Sequence, residues 1–182
     1  MTAARRPTAM KSLVAAAVFA ALGATLGTAH ADVLKVGDRL AELDVAVDAA
    51  GKPFKLKALK GKWVVVTVGA EWCAPCAKEL PTWDKLAGEL KGKVTFVAIG
   101  LDESADDGKR FHKKLKLKNM TLVYMPADKS SIAASYGADH MPSTFVIDPK
   151  GVVRYVRSGF EKGDTDGEYK QMKEQLEKLL KS

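Results

Sequence analysis

Cysteine and histidine are scarce in this chain, which has two cysteines and three histidines among its 182 residues. A domain stapled by several disulfides is therefore excluded. A structural zinc site needs four ligands. Beyond residue 31 the sequence offers only Cys73, Cys76, His112 and His140, with no second C-x-x-C and no H-x-x-x-H motif. Zinc is therefore disfavoured, whereas copper bound by both cysteines and His140 stays open as an alternative.

The chain also lacks an apolar run of the roughly 20 residues that a bilayer span requires. Its longest uncharged run, Leu13 to Gly27, is shorter and consists mostly of alanine and glycine. Basic residues precede this run (Arg5, Arg6 and Lys11). Ala29-His30-Ala31 follows it with the small-x-small pattern of a signal-peptidase site. We therefore expect residues 1–31 to be an export signal cleaved after Ala31, with an uncleaved membrane anchor as the alternative.

No internal repeat divides the remaining chain, and residues 32–182 are enough for one domain with its own core. The formal net charge of the whole chain is +7, and part of it belongs to the predicted signal. The other lysines are scattered among acidic residues, which is typical of a solvated surface. We expect a periplasmic or otherwise exported protein that is a monomer and binds no nucleic acid.

Apolar, β-branched runs alternate with amphipathic stretches along the chain. The predicted strands are Trp63–Val68, Val94–Ile99, Thr121–Met125, Thr144–Asp148 and Val152–Arg157. The predicted helices are Cys73–Lys91, Asp106–Leu117, Ser130–Tyr136 and Asp166–Lys181. The turn signal Pro149-Lys150-Gly151 makes the last two strands an antiparallel hairpin. This order predicts a three-layer α/β domain, in which helices flank a central mixed sheet.

The two cysteines form a single C-x-x-C motif, Cys73 to Cys76. A disulfide that closes so short a loop adds little stability, so a redox pair is favoured over a structural staple. Cys73 falls where a buried strand ends and a helix begins, and the N–H groups and dipole of a helix N-terminus stabilise a thiolate. We expect Cys73 to be the exposed nucleophile and Cys76 the more interior resolving thiol. Ala74 and Pro75 provide no cation to stabilise the thiolate, which favours a reducing protein.

Two segments of the chain resemble the exported TlpA/ResA-like family of thioredoxin-fold thiol–disulfide oxidoreductases. Val64–Leu86 contains W-C-x-x-C followed by K-E-L-P, and Tyr136–Phe160 contains M-P-S-T-F-V-I-D-P-K-G. The resemblance implies a thioredoxin-like fold and reduction of disulfides in exported client proteins, apo-cytochrome c among them. It also implies a membrane or periplasmic electron donor. We expect no cofactor and no metal in such an enzyme.

The resemblance extends to individual residues around the cysteines. Pro142 matches the cis-proline that faces the disulfide, although an ordinary trans turn proline is the alternative. Met141 and Trp72 are expected to contact the substrate, with simple packing as the alternative for Trp72. Glu79 matches a family glutamate that can accept the proton of Cys76, and a solvated surface glutamate is the alternative.

The sequence departs from the wider thioredoxin pattern at two positions. Thr67 stands where thioredoxins have a buried aspartate that transfers protons. In this chain another residue must therefore take that role. Gly69 stands where relatives often have a bulky aromatic residue. Trp83 is expected in the core and His112 in solvent. A non-catalytic or copper-handling module with the same fold remains the alternative function, whereas a thiol peroxidase is disfavoured because Ala70 replaces the expected serine or threonine.

Overall fold

The computed structural model describes residues 1–2, 32–161 and 163–181. The predicted cleavage site and apolar signal run lie outside these residues. The strands are β1 (Val47–Asp48), β2 (Trp63–Gly69), β3 (Val94–Gly100), β4 (Thr121–Tyr124), β5 (Ser143–Ile147) and β6 (Val153–Ser158). The α-helices are α1 (Cys76–Glu89), α2 (Ala105–Leu115) and α3 (Thr165–Leu180). Within the described part of the chain, no helix is long and apolar enough to cross a membrane.

The six strands form one mixed sheet in the order β1-β4-β3-β2-β5-β6. Strands β2, β3 and β4 are parallel neighbours. Helices α1 and α2 each carry the chain back to the end of the sheet at which the preceding strand began. Strand β5 pairs antiparallel with β2 and forms the predicted hairpin with β6. The central mixed sheet with helices packed on it is confirmed.

The two faces of the sheet are covered differently. On one face, side chains from all three described α-helices pack together around Trp83, Phe96 and Met172. On the other face, the core is covered by the N-terminal segment and by residues 127–138. This second layer contains 3₁₀ turns rather than a long helix.

The predicted helix Ser130–Tyr136 is therefore wrong as an α-helix. The chain forms short 3₁₀ turns at Ala127–Lys129, Ala134–Tyr136 and Ala138–His140. Gly137 interrupts them with a φ of 74°, a conformation that glycine adopts without strain. The other predicted helices and strands agree to within a few residues, except that α1 begins at Cys76 and leaves Cys73 in the preceding turn.

Candidate active site

The cysteine turn lies at the carboxyl end of β2, directly before α1. Cys73 and Cys76 form a disulfide with an S–S distance of 2.02 Å. Pro75 caps α1 with φ −63° and ψ −37°, the helical conformation that its ring favours. Ala74 is exposed between the cysteines. The site is therefore in its oxidised form, at a strand-to-helix junction.

The local geometry distinguishes the two sulfur atoms. The backbone N–H of Cys76, the first residue of α1, donates a hydrogen bond to Cys73 Sγ at 3.3 Å. A helix N-terminal N–H therefore points at Cys73, where it can stabilise a thiolate. Cys76 is fully buried, and Cys73 is 5% exposed. The expectation that Cys73 is an exposed thiol is wrong for the oxidised form, although it is the more accessible of the pair.

The residues expected to contact a substrate surround this turn. Trp72 is 69% exposed, which is unusual for a large apolar side chain, so simple packing does not explain it. Met141 is half-buried and packs against the apolar cluster that includes both cysteines. The Met141–Pro142 peptide bond is cis. Pro142 is buried, and its carbonyl accepts a hydrogen bond from Gly159 at 2.8 Å.

Register brings Pro142 to the cysteine end of the sheet. Ser143, the residue after Pro142, pairs with Val68 in β2. Pro142 therefore lies beside the point where β2 leaves the sheet and enters the cysteine turn. Cys73, Met141 and Pro142 therefore lie at the same end of the sheet, and the exposed Trp72 precedes Cys73 in the chain.

Glu79 is not a solvated helix-surface residue, because its side chain is fully buried. Its Oε2 lies 2.7 Å from Thr67 Oγ1, and its Oε1 lies 2.9 Å from Thr144 Oγ1. The two hydroxyl oxygens are 3.0 Å apart. Trp83 Nε1 donates to Thr144 Oγ1 at 3.2 Å. We call these four side chains the Glu79 network.

The Glu79 network can accommodate a proton on the carboxyl group. Glu79, Thr67 and Thr144 form a triangle with three oxygen–oxygen contacts of hydrogen-bond length. When Glu79 is ionised, the two threonine hydroxyls provide two protons for three contacts. A neutral Glu79 provides the third proton, so every side of the triangle is filled. The geometry therefore fits the protonated acid especially well.

The electrostatic setting of Glu79 agrees with this proton count. Burial raises the pKa of Glu79 from its ordinary 4.5 to about 7, although the hydroxyls of Thr67 and Thr144, the nearby indole N–H of Trp83 and the charge of Arg157 act in the opposite direction. A group that titrates near neutral pH can accept and return a proton during turnover. Glu79 lies one helical turn after Cys76 on α1, so the two side chains share a face of the helix.

The sequence did not point to Thr144 or to the polar role of Trp83. Thr67 and Thr144 lie on neighbouring strands as direct partners in the β2–β5 ladder, and both are fully buried. The only available signal was a threonine in each of two strands whose other residues are mostly apolar. The thioredoxin aspartate position is thus occupied by Thr67, whose hydroxyl bonds to the carboxyl group of Glu79 from the adjacent helix.

Gly69 explains how α1 approaches the end of β2. A Cβ on Gly69 would lie 3.0 Å from Cys76 Cβ and 3.2 Å from Cys76 Sγ. Such a distance is tighter than an ordinary carbon contact. In this chain, glycine therefore allows Cys76 to pack directly against the strand.

The two histidines beyond residue 31 do not join the cysteines in a ligand cluster. His140 is exposed in the 3₁₀ turn before Met141. His112 is 1% exposed inside α2, so the expectation that it is solvated is wrong. Among the residues that the structure describes, no group of three or more His, Cys, Asp or Glu side chains is arranged to hold a metal ion.

Disulfide exchange is the chemistry that this cysteine turn supports, and solved structures of similar fold give the same class. A DsbE-like thiol:disulfide interchange protein of Chlorobium tepidum has a TM-score of 0.65 and 26% identity over 76% of this chain and 96% of its own. Mycobacterium tuberculosis DsbF has a TM-score of 0.61 and 25% identity over 74% and 92% of the two chains. The protein is a thiol–disulfide oxidoreductase with a thioredoxin-like fold.

Sequence comparison then identifies the family. The AhpC/TSA family model matches residues 36–156, and the chain belongs to this family. The thiol-disulfide oxidoreductase ResA of Bacillus thuringiensis is 35% identical over 139 residues, which cover 75% of this chain and 72% of ResA. ResA of Halalkalibacterium halodurans is 27% identical over 177 residues and 94% of both chains. The resemblance to the ResA-like oxidoreductases is confirmed.

Proposed function

We propose that the protein is exported, loses residues 1–31, and uses the reduced Cys73/Cys76 pair to reduce disulfides in exported client proteins. The observation that carries this proposal is the buried Glu79 network one helical turn from Cys76. It provides a proton acceptor for the resolving thiol. A membrane or periplasmic dithiol donor supplies the electrons that reduce the Cys73–Cys76 disulfide again.

The reaction has two exchange steps. The Cys73 thiolate attacks one sulfur of the client disulfide, forms a mixed disulfide with it, and releases the other client sulfur as a thiolate. Cys76 then passes its proton to Glu79 and attacks Cys73 Sγ. The Cys73–Cys76 disulfide forms, and the second client thiolate leaves. The client gains two electrons and this protein loses two.

Glu79 contributes most in the second step. A buried thiol such as Cys76 is a poor nucleophile until its proton is removed. The Glu79 network is fully hydrogen-bonded when the acid is neutral. The proton can therefore stay on Glu79 while the two cysteines form a disulfide. The donor then returns two electrons to the disulfide, and the Glu79 proton is again available to Cys76.

Replacement of Glu79 by glutamine tests this role. We expect Glu79→Gln to slow reduction of insulin disulfides by about 100-fold, the usual contribution of a positioned acid–base group. Asp84→Asn is the matched control, because Asp84 is a buried carboxylate on the same helix that bonds to Lys118 and Asn119 instead. Equal rates for the two variants would exclude Glu79 as the proton acceptor.

The reducing direction is tested by equilibration with glutathione. No cation or imidazole stands between Cys73 and Cys76, and a carboxylate next to Cys76 disfavours its thiolate. We therefore expect a reduction potential below that of the glutathione pool. A potential near −120 mV, typical of a strong oxidant, would contradict the proposal.

The client class can be tested by trapping. Cys76→Ala removes the resolving thiol, so mixed disulfides with Cys73 should accumulate. We expect exported proteins with paired cysteines, apo-cytochrome c among them, to be captured by Cys76→Ala and not by the Cys73→Ser/Cys76→Ala control. Capture of cytoplasmic proteins alone in intact cells would contradict export.

A further inference from the structure

Another buried carboxylate, that of Asp102, holds the peptide that precedes Trp72. Asp102 follows the end of β3 and is 3% exposed. Its Oδ1 accepts a hydrogen bond from the backbone N–H of Glu71 at 2.7 Å. Glu71 lies two residues before Cys73. This bond therefore ties the cysteine turn to the neighbouring strand end.

A backbone bond supports the same junction. The N–H of Leu101 donates to the carbonyl of Gly69 at 2.8 Å. Leu101 and Asp102 thus anchor the chain at Gly69 and again at Glu71. The residues that follow, Trp72 and Cys73, begin their turn from two fixed points. Of these two contacts, the first is between backbone groups, and the second uses the side chain of Asp102.

Gly100 and Gly108 leave space for the Asp102 carboxylate, because neither has a side chain. A Cβ on Gly108 would lie 3.1 Å from Asp102 Oδ2 and 2.8 Å from Cδ1 of Tyr124. A Cβ on Gly100 would lie 3.3 Å from the same oxygen. Gly108 is inside α2, where glycine is less favourable than alanine. Close packing against Asp102 and Tyr124 accounts for this unfavourable choice.

The two oxygens of the Asp102 carboxylate have different surroundings. Asp102 Oδ2 has no hydrogen-bond partner among the described residues. Leaving Oδ2 unpaired costs free energy, so the bond that Oδ1 accepts from the Glu71 N–H is the interaction that this carboxylate provides. Asp84 shows the alternative, because both of its carboxylate oxygens are hydrogen-bonded.

We infer that Asp102 is a positioning residue of the oxidoreductase. By holding the Glu71 peptide, it fixes the turn that carries Trp72 and Cys73, and it thereby sets the reactivity of Cys73 Sγ. The inference rests on disulfide-exchange activity and not on the direction of electron flow. Asp102 itself touches neither cysteine sulfur in this role.

Three variants separate positioning from general stability. Asp102→Leu removes the acceptor for the Glu71 N–H, whereas Asp102→Asn keeps an oxygen in the same place. Asp84→Leu removes a buried carboxylate that fixes a different part of the backbone. All are compared well below their melting temperatures. If Asp102→Leu does not fold, Asp102→Ala takes its place.

The first readout is the pH dependence of Cys73 alkylation by iodoacetamide, measured in a Cys76→Ala background. It needs no client, so it remains informative even if insulin is not reduced. The second readout is insulin reduction with both cysteines present. We expect Asp102→Leu to shift the alkylation midpoint and to slow insulin reduction about tenfold or more, as misplacement of a reacting group does.

We expect Asp102→Asn to restore both readouts to within about twofold of the wild type, because it preserves the hydrogen bond. Asp84→Leu should leave both unchanged, although its melting temperature falls. The inference is overturned if Asp102→Leu behaves like Asp84→Leu in alkylation. It is also overturned if Asp102→Asn is as impaired as Asp102→Leu, because the hydrogen bond would then not be the cause.

Discussion

Glu79 and His112 are both buried titratable side chains, but the fold surrounds them in opposite ways. Glu79 makes two hydrogen bonds to threonine hydroxyls, in a network that Trp83 extends. His112 packs beside the rings of Phe111 and Tyr124, and neither of its nitrogens has a hydrogen-bond partner in the described part of the protein. One site is polar and connected, and the other is apolar.

This difference separates a side chain that can exchange a proton with its neighbours from a side chain that is only buried. Burial shifts both pKa values toward the neutral form, that of Glu79 upward to about 7 and that of His112 downward to about 4. Of the two side chains, only Glu79 has neighbouring hydroxyl groups. They can donate hydrogen bonds to its ionised carboxylate and accept one from its neutral acid. A perturbed pKa therefore indicates a proton-transfer role here only where hydrogen-bonding partners are present.

The largest effect that we expect is on the pH dependence of the free energy of unfolding, through Glu79. Between pH 4.5 and 7 the folded protein keeps a proton on Glu79 that the unfolded chain has released, so this contribution to stability is lost as pH rises. We expect the wild type to lose about 3 kcal/mol relative to Glu79→Gln across this range. Urea unfolding of the oxidised proteins at several pH values measures the difference, with Asp84→Asn as the control. Parallel curves for wild type and Glu79→Gln would contradict the raised pKa.

His112 should act with the opposite sign. The unfolded chain binds a proton on His112 below pH 6.5, whereas the folded protein does so only near pH 4, so stability is lost as pH falls through this window. His112→Phe removes this penalty and fits among the neighbouring rings. We expect it to stabilise the protein at pH 5 by about 2 kcal/mol relative to its effect at pH 8. An equal effect at both pH values would show that His112 has an ordinary pKa.

Thr67→Val is a smaller change to the Glu79 network. It removes one hydroxyl donor and preserves the shape of the side chain. We expect a loss of about 1–2 kcal/mol in stability, the cost of leaving a buried polar atom without its partner. Because that hydrogen bond lowers the pKa of Glu79, the pH profile of insulin reduction should also move upward. Thr82→Val, on α1 with its hydroxyl bonded to Lys78, should leave the profile unchanged.

Trp72→Ala should have the smallest effect on stability. Trp72 is exposed beside Cys73, so its removal should change the free energy of unfolding by less than about 0.5 kcal/mol. Its effect should fall on the KM for a protein client and not on the alkylation rate of Cys73. A loss of stability of several kcal/mol would show that Trp72 belongs to the core.

Local patterns predicted most of the fold for physical reasons. The buried strands β2 and β3 are continuous apolar runs, and α3 has an apolar stripe at helical spacing, so their identities do not depend on distant contacts. The 127–140 segment lacks such a pattern. Its 3₁₀ turns form where Tyr136 and Ala133 pack against the sheet, which no local signal specifies.

His112 shows the same limit within a correctly predicted helix. Lysines surround it in the sequence, which favours solvent, yet it is buried on α2 together with Gly108 and Phe111. Periodicity indicates which residues share a face but not how widely a neighbouring strand covers that face. Tyr124 of β4 extends the cover over His112.

The sequence alone was enough to predict the order of strands β2 to β6, the three α-helices and a redox-active cysteine pair at a strand-to-helix junction. These follow from residue types and spacings within single segments. The surroundings of Glu79 depend on the tertiary fold, because its partners Thr67 and Thr144 lie on different strands and are 77 residues apart in the chain. The β2–β5 register pairs the two threonines, and the packing of α1 on the sheet brings the carboxyl group of Glu79 to their hydroxyls. Burial in that setting moves the pKa of Glu79 toward neutrality.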